Sequence, residues 1–370
     1  MAYSHKAVDR AAVVDNLEMP RAVSGDGITL AQPGPEHTPA YQKLYGDPSS
    51  KFIGGPVDAG GAWQRLATDT GHWRINGFGR YVILDDHGEM VGFCGLWFPH
   101  DKPEVEVAYG VMPGMRGRGI ATRAARLVAG VAERRGVPTL VSYIAVQNEP
   151  SKRVAAAAGA SLDGHCDMAG KPHEVWRYVV DARQVKGEPV LLEATVMPLN
   201  IRTARLALTQ CRSDHFERYA VFLADPHSLA TMGGPATPYE AARSMLAAAG
   251  HWALRGHGLY AVEYDGALAG FVGLARPHGA REIELAYHLL PEARGKGFAT
   301  EAARAVLWAA AEQGLSQVYS AVHGDNAASL RVVSSLGAVA DGTVIADGRE
   351  AIRFVHNLSA DRPTPKAISA

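Results

Sequence analysis

Apolar positions in this chain fall into short alternating runs and longer stripes at helical spacing, and their order repeats. Val107, Tyr109 and Val111 alternate as one face of a strand. A Pro-Gly turn and a glycine-rich basic loop follow, after which Ala121, Ala124, Val128, Val131 and Ala132 keep close to a 3.6-residue period. The pattern predicts a short strand from Ile28, a helix near Tyr41 to Tyr45, and a second helix around Ala62 to Trp73. Strands at Tyr81 to Leu84 and Met90 to Phe98 are joined by Asp85-Asp86-His87-Gly88, a hairpin signal. Next come a strand at Glu104 to Val111, the loop and its helix to Arg135, and a strand at Thr139 to Val146. Asn148 opens an alanine-rich helix that stops at Gly159, and a final hairpin puts a strand at Val175 to Val180.

The second half runs through the same series. Gly233-Gly234-Pro235 answers Gly54-Gly55-Pro56, and Gly250-His251-Trp252 answers Gly71-His72-Trp73. After the Tyr264-Asp265-Gly266 turn, one residue shorter than its counterpart, Leu285 to Ala299 repeats Val107 to Ala121. Asn326 then answers Asn148, Ser329 answers Ser151, and Gly337-Ala338 answers Gly159-Ala160. A single-residue gap in a turn is what duplication of one fold allows, because a slip inside a strand would turn every side chain to the wrong face. The expected organisation is an arm over 1–25, a first domain over 26–182, a linker over 183–198, a second domain over 199–358 and a tail over 359–370. Lys186-Gly187-Glu188-Pro189 reads as linker, and Val190 to Val196 as an extra strand docking one copy on the other.

Composition narrows the classes. The 370 residues are 47% hydrophobic and 20% charged, which describes an ordinary globular protein of two or three domains. A net charge of −1 gives no global field for nucleic acid or membrane. Cys94, Cys166 and Cys211 are odd in number and form no C-x-x-C pair, which argues against a disulfide framework or a zinc site and fits a reducing cytoplasm. No run approaches the ~18 apolar residues of a membrane span. The fifteen histidines show no helical pair at ligand spacing, so no metal is expected.

Candidate chemistry lies in the loops. A strand feeding a glycine-rich turn and a helix N-terminus is an anion site, since Gly permits φ > 0, successive N–H groups turn inward and the helix dipole adds positive charge. The P-loop pattern fails, because Ile120 stands where it needs Lys. The dinucleotide pattern fails because Gly117 and Gly119 lead to Thr122. What remains is Arg-x-x-Gly-x-Ala, present as Arg116-Gly117-Arg118-Gly119-Ile120-Ala121 and as Arg294-Gly295-Lys296-Gly297-Phe298-Ala299.

This motif resembles the pyrophosphate loop of the GNAT acetyltransferase superfamily, and the resemblance covers nearly the whole chain as two units. Ile201-Arg202-Thr203-Ala204-Arg205-Leu206-Ala207-Leu208, the Gly-Gly-Pro turn and Asp325-Asn326-Ala327-Ala328-Ser329 make it most similar to the RimJ/RimL-type N-acetyltransferases. The resemblance implies two tandem α+β folds, each a mostly antiparallel twisted sheet whose central strands splay, flanked by helices. It implies acetyl-coenzyme A as cofactor, held by both loops with the strand ends Val111 and Leu289 and with Asn148 and Asn326. The two asparagines also read as helix N-caps.

In the family the acceptor amine attacks the thioester directly. An α-amine of pKa ~8 is about a tenth neutral at pH 7, and a lysine of pKa ~10.4 far less, so a general base helps. Glu106 and Glu284 hold corresponding positions for that role, with a plain strand carboxylate as the structural alternative. His288 shares the face of Glu284, but its counterpart is Gly110. The tyrosine that many members use as general acid is replaced by Ala155 and Val333, and Ser151 and Ser329, one turn earlier, are the substitutes the subgroup suggests. Trp73 and Trp252 read as core anchors. The resemblance thus implies an N-acetyltransferase acting on a small amine or a protein N-terminus, arranged as an internal pseudo-dimer and compatible with a homodimer. Three arrangements stay open: two active units, one active unit fused to a degenerate acetyl-coenzyme A-binding or structural unit with a regulatory role, and a scaffold without cofactor.

Overall fold

The computed structural model describes residues 17, 19–99, 103–137, 139–168, 170–179, 197–224, 237–276, 280, 282–346 and 348–358. The chain forms two compact units that divide between Leu192 and Glu193.

The first unit contains β1 (Ala22–Gly25), β2 (Ile28–Ala31), α1 (Thr38–Gly46), α2 (Ala59–Asn76), β3 (Arg80–Leu84), β4 (Met90–Trp97) and β5 (Val105–Val111). It continues with α3 (Ile120–Arg134), β6 (Leu140–Ala145), α4 (Glu149–Ala157), β7 (Ala160–Met168) and β8 (Lys171–Tyr178). The strands make one sheet in the order β1-β2-β3-β4-β5-β6-β8-β7. The second unit follows the same path through β9 (Ile201–Arg202), β10 (Ala207–Gln210), α5 (Phe216–Ala224), α6 (Pro238–Arg255), β11 (Leu259–Tyr264), β12 (Ala267–Ala275) and β13 (Glu284–Leu289). It then runs through α7 (Phe298–Glu312), β14 (Gln317–Val322), α8 (Ala327–Ser335), β15 (Val339–Ala346) and β16 (Arg349–Asn357). Its sheet order, β15-β16-β14-β13-β12-β11-β10-β9, is that of the first read from the other edge.

Local chemistry explains the punctuation. Asp26-Gly27 and Asp265-Gly266 both take positive φ at each residue, the geometry of two-residue hairpins, and they join β1 to β2 and β11 to β12. Helices α2 and α6 stop at Gly77 and Gly256, each near φ 72°. On α3 the stripe of Ala124, Ala125, Val128, Val131 and Ala132 is buried against Cys94, Leu96, Val105 and Val107 of the sheet. Trp73 and Trp252 are indeed core anchors: each lies edge-on to a tyrosine (Tyr81, Tyr260), and each indole N–H donates to a strand carbonyl (Arg80, Leu259).

Two expectations need correction. Ala22–Gly25, inside the stretch read as an arm, is an edge strand, because the Asp26-Gly27 turn folds it onto β2. The last strand of the first unit begins at Lys171 rather than Val175, since pairing with β7 runs out to the Met168/Lys171 rung. Val190 to Val196, Gly233-Gly234-Pro235 and the tail lie outside the described residues. Among the described residues no helix is long and apolar enough to cross a membrane.

A histidine staples each unit. His72 Nδ1 donates to the Phe78 carbonyl at 2.8 Å, and its Nε2 accepts the Phe98 N–H at 2.9 Å. His251 does the same between the His257 carbonyl (2.7 Å) and the Arg276 N–H (3.0 Å). Both rings are therefore neutral with the proton on Nδ1. Burial depresses His251, and burial with the neighbouring His251 pushes His257 from 6.5 down to about 4. Below pH 6.5 the unfolded chain binds these protons and the folded unit does not, so stability present at neutral pH is lost as the pH falls toward 4. Urea unfolding of the second unit should show this acid loss, on the order of 2 kcal/mol from His257. His257→Phe, which installs the residue of the first unit (Phe78), should remove that share, and an unchanged pH profile would refute the assignment.

Candidate functional site

The site of each unit begins where a parallel strand pair parts. β5 and β6 are paired at Val105↔Leu140 and Glu106↔Val141 only, although both strands run on to Val111 and Ala145. β13 and β14 share the single rung Glu284↔Tyr319. Where each ladder stops, a buried serine takes over: Ser142 Oγ donates to the Val107 carbonyl at 2.6 Å, and Ser320 Oγ to the Leu285 carbonyl at 2.9 Å. Tyr178 OH stands 3.1 Å from the first hydroxyl, and His356 Nε2 3.0 Å from the second. Past these points β5 and β13 have no strand partner on that side among the described residues, which leaves main-chain donors and acceptors facing a gap.

At the far end of the gap stand the cradles. Gly117 (φ 74°) and Gly119 (φ 71°) in the first unit, and Gly295 (φ 73°) and Gly297 (φ 78°) in the second, occupy the left-handed region where a Cβ is strained. A Cβ added to Gly117, Gly119 or Gly295 would meet nothing within 4 Å, so the bends stand clear of neighbouring atoms. Gly119 and Gly297 are the N-caps of α3 and α7, and neither brings a side chain to cap them. The first-turn amides of both helices are thus left for an outside acceptor. These residues fit a diphosphate: exposed bends, inward-turning amides, and the positive ends of two 15-residue helices.

Arg116 and Arg294 act inside the protein rather than as loose charges. Each Nε donates to the last carbonyl of its strand, Val111 at 3.0 Å and Leu289 at 3.1 Å, which fixes the entry to the bend. Arg118 and Lys296 are exposed. Asn148 and Asn326 are N-caps, each accepting the N–H of the serine three residues on, Ser151 at 3.4 Å and Ser329 at 3.0 Å.

The structure adds residues that sequence reasoning passed over. Ser151 Oγ donates to Tyr109 OH at 3.0 Å, and Tyr109 OH donates to the Ser151 carbonyl at 2.9 Å. Tyr287 OH bonds the Ser329 carbonyl at 3.3 Å. A tyrosine hydroxyl therefore does stand beside each serine, supplied by the strand instead of the helix. Burial raises both phenols, Tyr287 to about 12 and Tyr109 further, so both keep their protons at neutral pH. The signal was present in the repeat itself, since Tyr109 and Tyr287 hold the same place in the two copies. Strand alternation puts Glu106 on the α1–α2 face and Tyr109 on the α3–α4 face. The same holds for Glu284 and Tyr287, so only a ligand lying in the gap can touch both members of a pair.

The second cradle also carries a clamp. Arg205, in the β9–β10 connection, donates from Nε to Glu301 Oε2 at 2.7 Å and from Nη1 to the Lys296 carbonyl at 3.0 Å. It lies over the Phe298 ring at 4.8 Å. Thr203 Oγ1 donates to the other oxygen of Glu301 at 2.5 Å. In the first unit Arg123 replaces Glu301 and donates to the Asp26 carbonyl, so among the described residues this carboxylate-centred tie is not repeated.

A family model described as an acetyltransferase (GNAT) domain matches residues 28–161 and again 205–339. Among solved structures, an acetyltransferase from Agrobacterium tumefaciens is similar at 31% identity, over 44% of this chain and 96% of its own, with a TM-score of 0.41. A putative GnaT-family acetyltransferase from Bordetella pertussis matches at 24% identity, over 43% and 99% of the two chains, with a TM-score of 0.38. Mycobacterium smegmatis RimJ, solved in complex with CoA-disulfide, matches at 20% identity over 45% and 90%, with a TM-score of 0.39. No curated protein matches the chain.

Loss of the clamp should loosen one bend only. In Arg205→Gln, amide hydrogen exchange across Gly295–Thr300 should quicken several-fold while Gly117–Thr122 is unchanged. Global stability should fall by no more than about 1 kcal/mol, because the arginine is half exposed. Equal exchange in wild type and variant would show that the clamp does not hold the loop.

Proposed function

We propose that this chain, which belongs to the GNAT acetyltransferase family and carries two such domains in tandem, transfers acetyl from acetyl-coenzyme A to a primary amine. The observation that carries the reading is the pairing, in each unit, of a parted parallel strand pair with an uncapped, glycine-lined helix start at the end of the gap. When bound, acetyl-coenzyme A supplies a thioester carbonyl open to direct attack by an amine. The residues for holding it are the bends Arg116–Ala121 and Arg294–Ala299, through their amides, and the unpaired main chain of β5 and β13.

The chain's own groups then have distinct tasks. Main-chain N–H groups in the gap are fixed by the strands, so they stabilise developing oxyanion charge without reorganising. Glu106 and Glu284 are half-buried on the same face of their units, each at the position for a base that takes a proton from an incoming ammonium, directly or through water. The serine–tyrosine pairs Ser151–Tyr109 and Ser329–Tyr287 lie on the opposite side of the gap, and a tyrosine hydroxyl that exchanges its serine carbonyl for the leaving sulfur supplies the hydrogen bond the thiolate needs. The RimJ/RimL-like residues Ile201 to Leu208 and Asp325 to Ser329 make a protein N-terminus an acceptor to include beside small amines.

Free-thiol release across a panel of amines and N-terminal peptides tests the reading, with turnover expected for at least one class. For that acceptor, Glu284→Gln should lower kcat/KM about 10²–10⁴-fold. A chain that binds acetyl-coenzyme A but releases no thiol with any amine would refute transfer.

A further inference from the structure

Beside the two glutamates the units differ in the residue that stands across the strand pair. Glu106 is cross-strand from Trp97, and Glu284, at the same register, is cross-strand from Ala275. Trp97 is only 5% exposed, stacked on His72 at 4.8 Å and covered by the Arg80 guanidinium at 4.5 Å. Arg80 also covers the Phe93 ring at 4.9 Å and donates through Nε to Asp69 Oδ1 at 2.7 Å, while Asp69 Oδ2 accepts from Tyr41 OH at 2.7 Å. Asp69 and Tyr41 are fully buried.

This block cannot swing aside cheaply. Moving Trp97 strips the guanidinium of its stack, and parting Arg80 from Asp69 leaves an uncompensated buried charge. The second unit keeps His251 and Phe271 in the places of His72 and Phe93 but lacks counterparts of Trp97, Arg80 and Asp69. Leu259 stands where Arg80 does in the register, Ala248 where Asp69 does on the helix, and Ala275 is half exposed in place of the indole. Glu284 is flanked on its own face by Ala286 and His288, both half exposed.

We propose, resting on the transfer reading above, that only the second unit takes an acceptor amine. The face of Glu284 bounded by Ala275, Leu259 and Ala286 is the acceptor site, and the first unit binds acetyl-coenzyme A with its own acceptor face filled by Trp97, Arg80 and Asp69. The chain is then one enzyme fused to one acyl-coenzyme A-binding module that shares its cradle chemistry.

Calorimetry with coenzyme A and thiol-release kinetics on the full chain test this together. Wild type should bind two coenzyme A per chain. Gly297→Trp should bind one and lose turnover at least 100-fold. Ala275→Trp, which places the first unit's indole beside Glu284, should still bind two while KM for the amine rises more than tenfold or turnover disappears. It guards against the possibility that the glycine variant merely unfolds its unit, since retained stoichiometry reports a folded cradle. Substantial turnover in Gly297→Trp, or wild-type kinetics in Ala275→Trp, would overturn the assignment while leaving acetyl transfer intact. Two bound coenzymes with no thiol release from wild type would instead overturn the transfer reading beneath it.

Discussion

A parallel strand pair that shares only its first rungs sets the terms for each unit. Parallel neighbours need a long crossover, and here α3 or α7 provides it, starting at the glycine bend and returning the chain to the start of the neighbouring strand. Because the strands part beyond Glu106 and Glu284, main-chain groups that a closed sheet would consume stay available along a channel. The opening is maintained, since Ser142 and Ser320 satisfy the first orphaned carbonyls with side-chain hydroxyls and so remove the incentive for the ladder to close.

Around that opening the fold distributes work by face and by end. The helix dipole and uncapped amides collect at one end. Strand alternation sends the carboxylate to one side and the serine–tyrosine pair to the other. Residues that look like free cations in the sequence turn out to be fasteners: Arg116 and Arg294 tie strand end to bend, and Arg205 ties the opening hairpin of the second unit to its cradle. A phosphate-binding bend made of glycine is flexible by composition, and these ties restore the order that recognition through backbone amides requires.

Duplication kept this machinery and relaxed its surroundings. The histidine staples, tryptophan anchors, asparagine caps and bridging serines are present in both units, all of them roles set by backbone geometry. What diverged is the face beside the glutamate, where one unit invested in a buried Arg–Asp pair and stacked rings and the other in alanine and leucine. A buried ion pair adds little net stability against a well-packed apolar replacement. Such a difference therefore survives more readily as a consequence of function than of fold.

The sequence by itself determined the duplication, the two bends, the Tyr264-Asp265-Gly266 turn, the asparagine-capped helices and the family, because each unit's signals are written in residues within a few positions of one another. Turn φ values, capping and periodicity are local physics, and the repeat doubled every signal. Only the tertiary structure decided which groups meet. Tyr109 reaches Ser151 across 42 positions, and Arg205 reaches Glu301 across 96. It also decided that Trp97 faces Glu106 while Ala275 faces Glu284, and that the edge strand at Ala22–Gly25 belongs to the sheet. Contacts of that kind depend on strand register and on which face each side chain takes, and those are fixed only when distant segments pair.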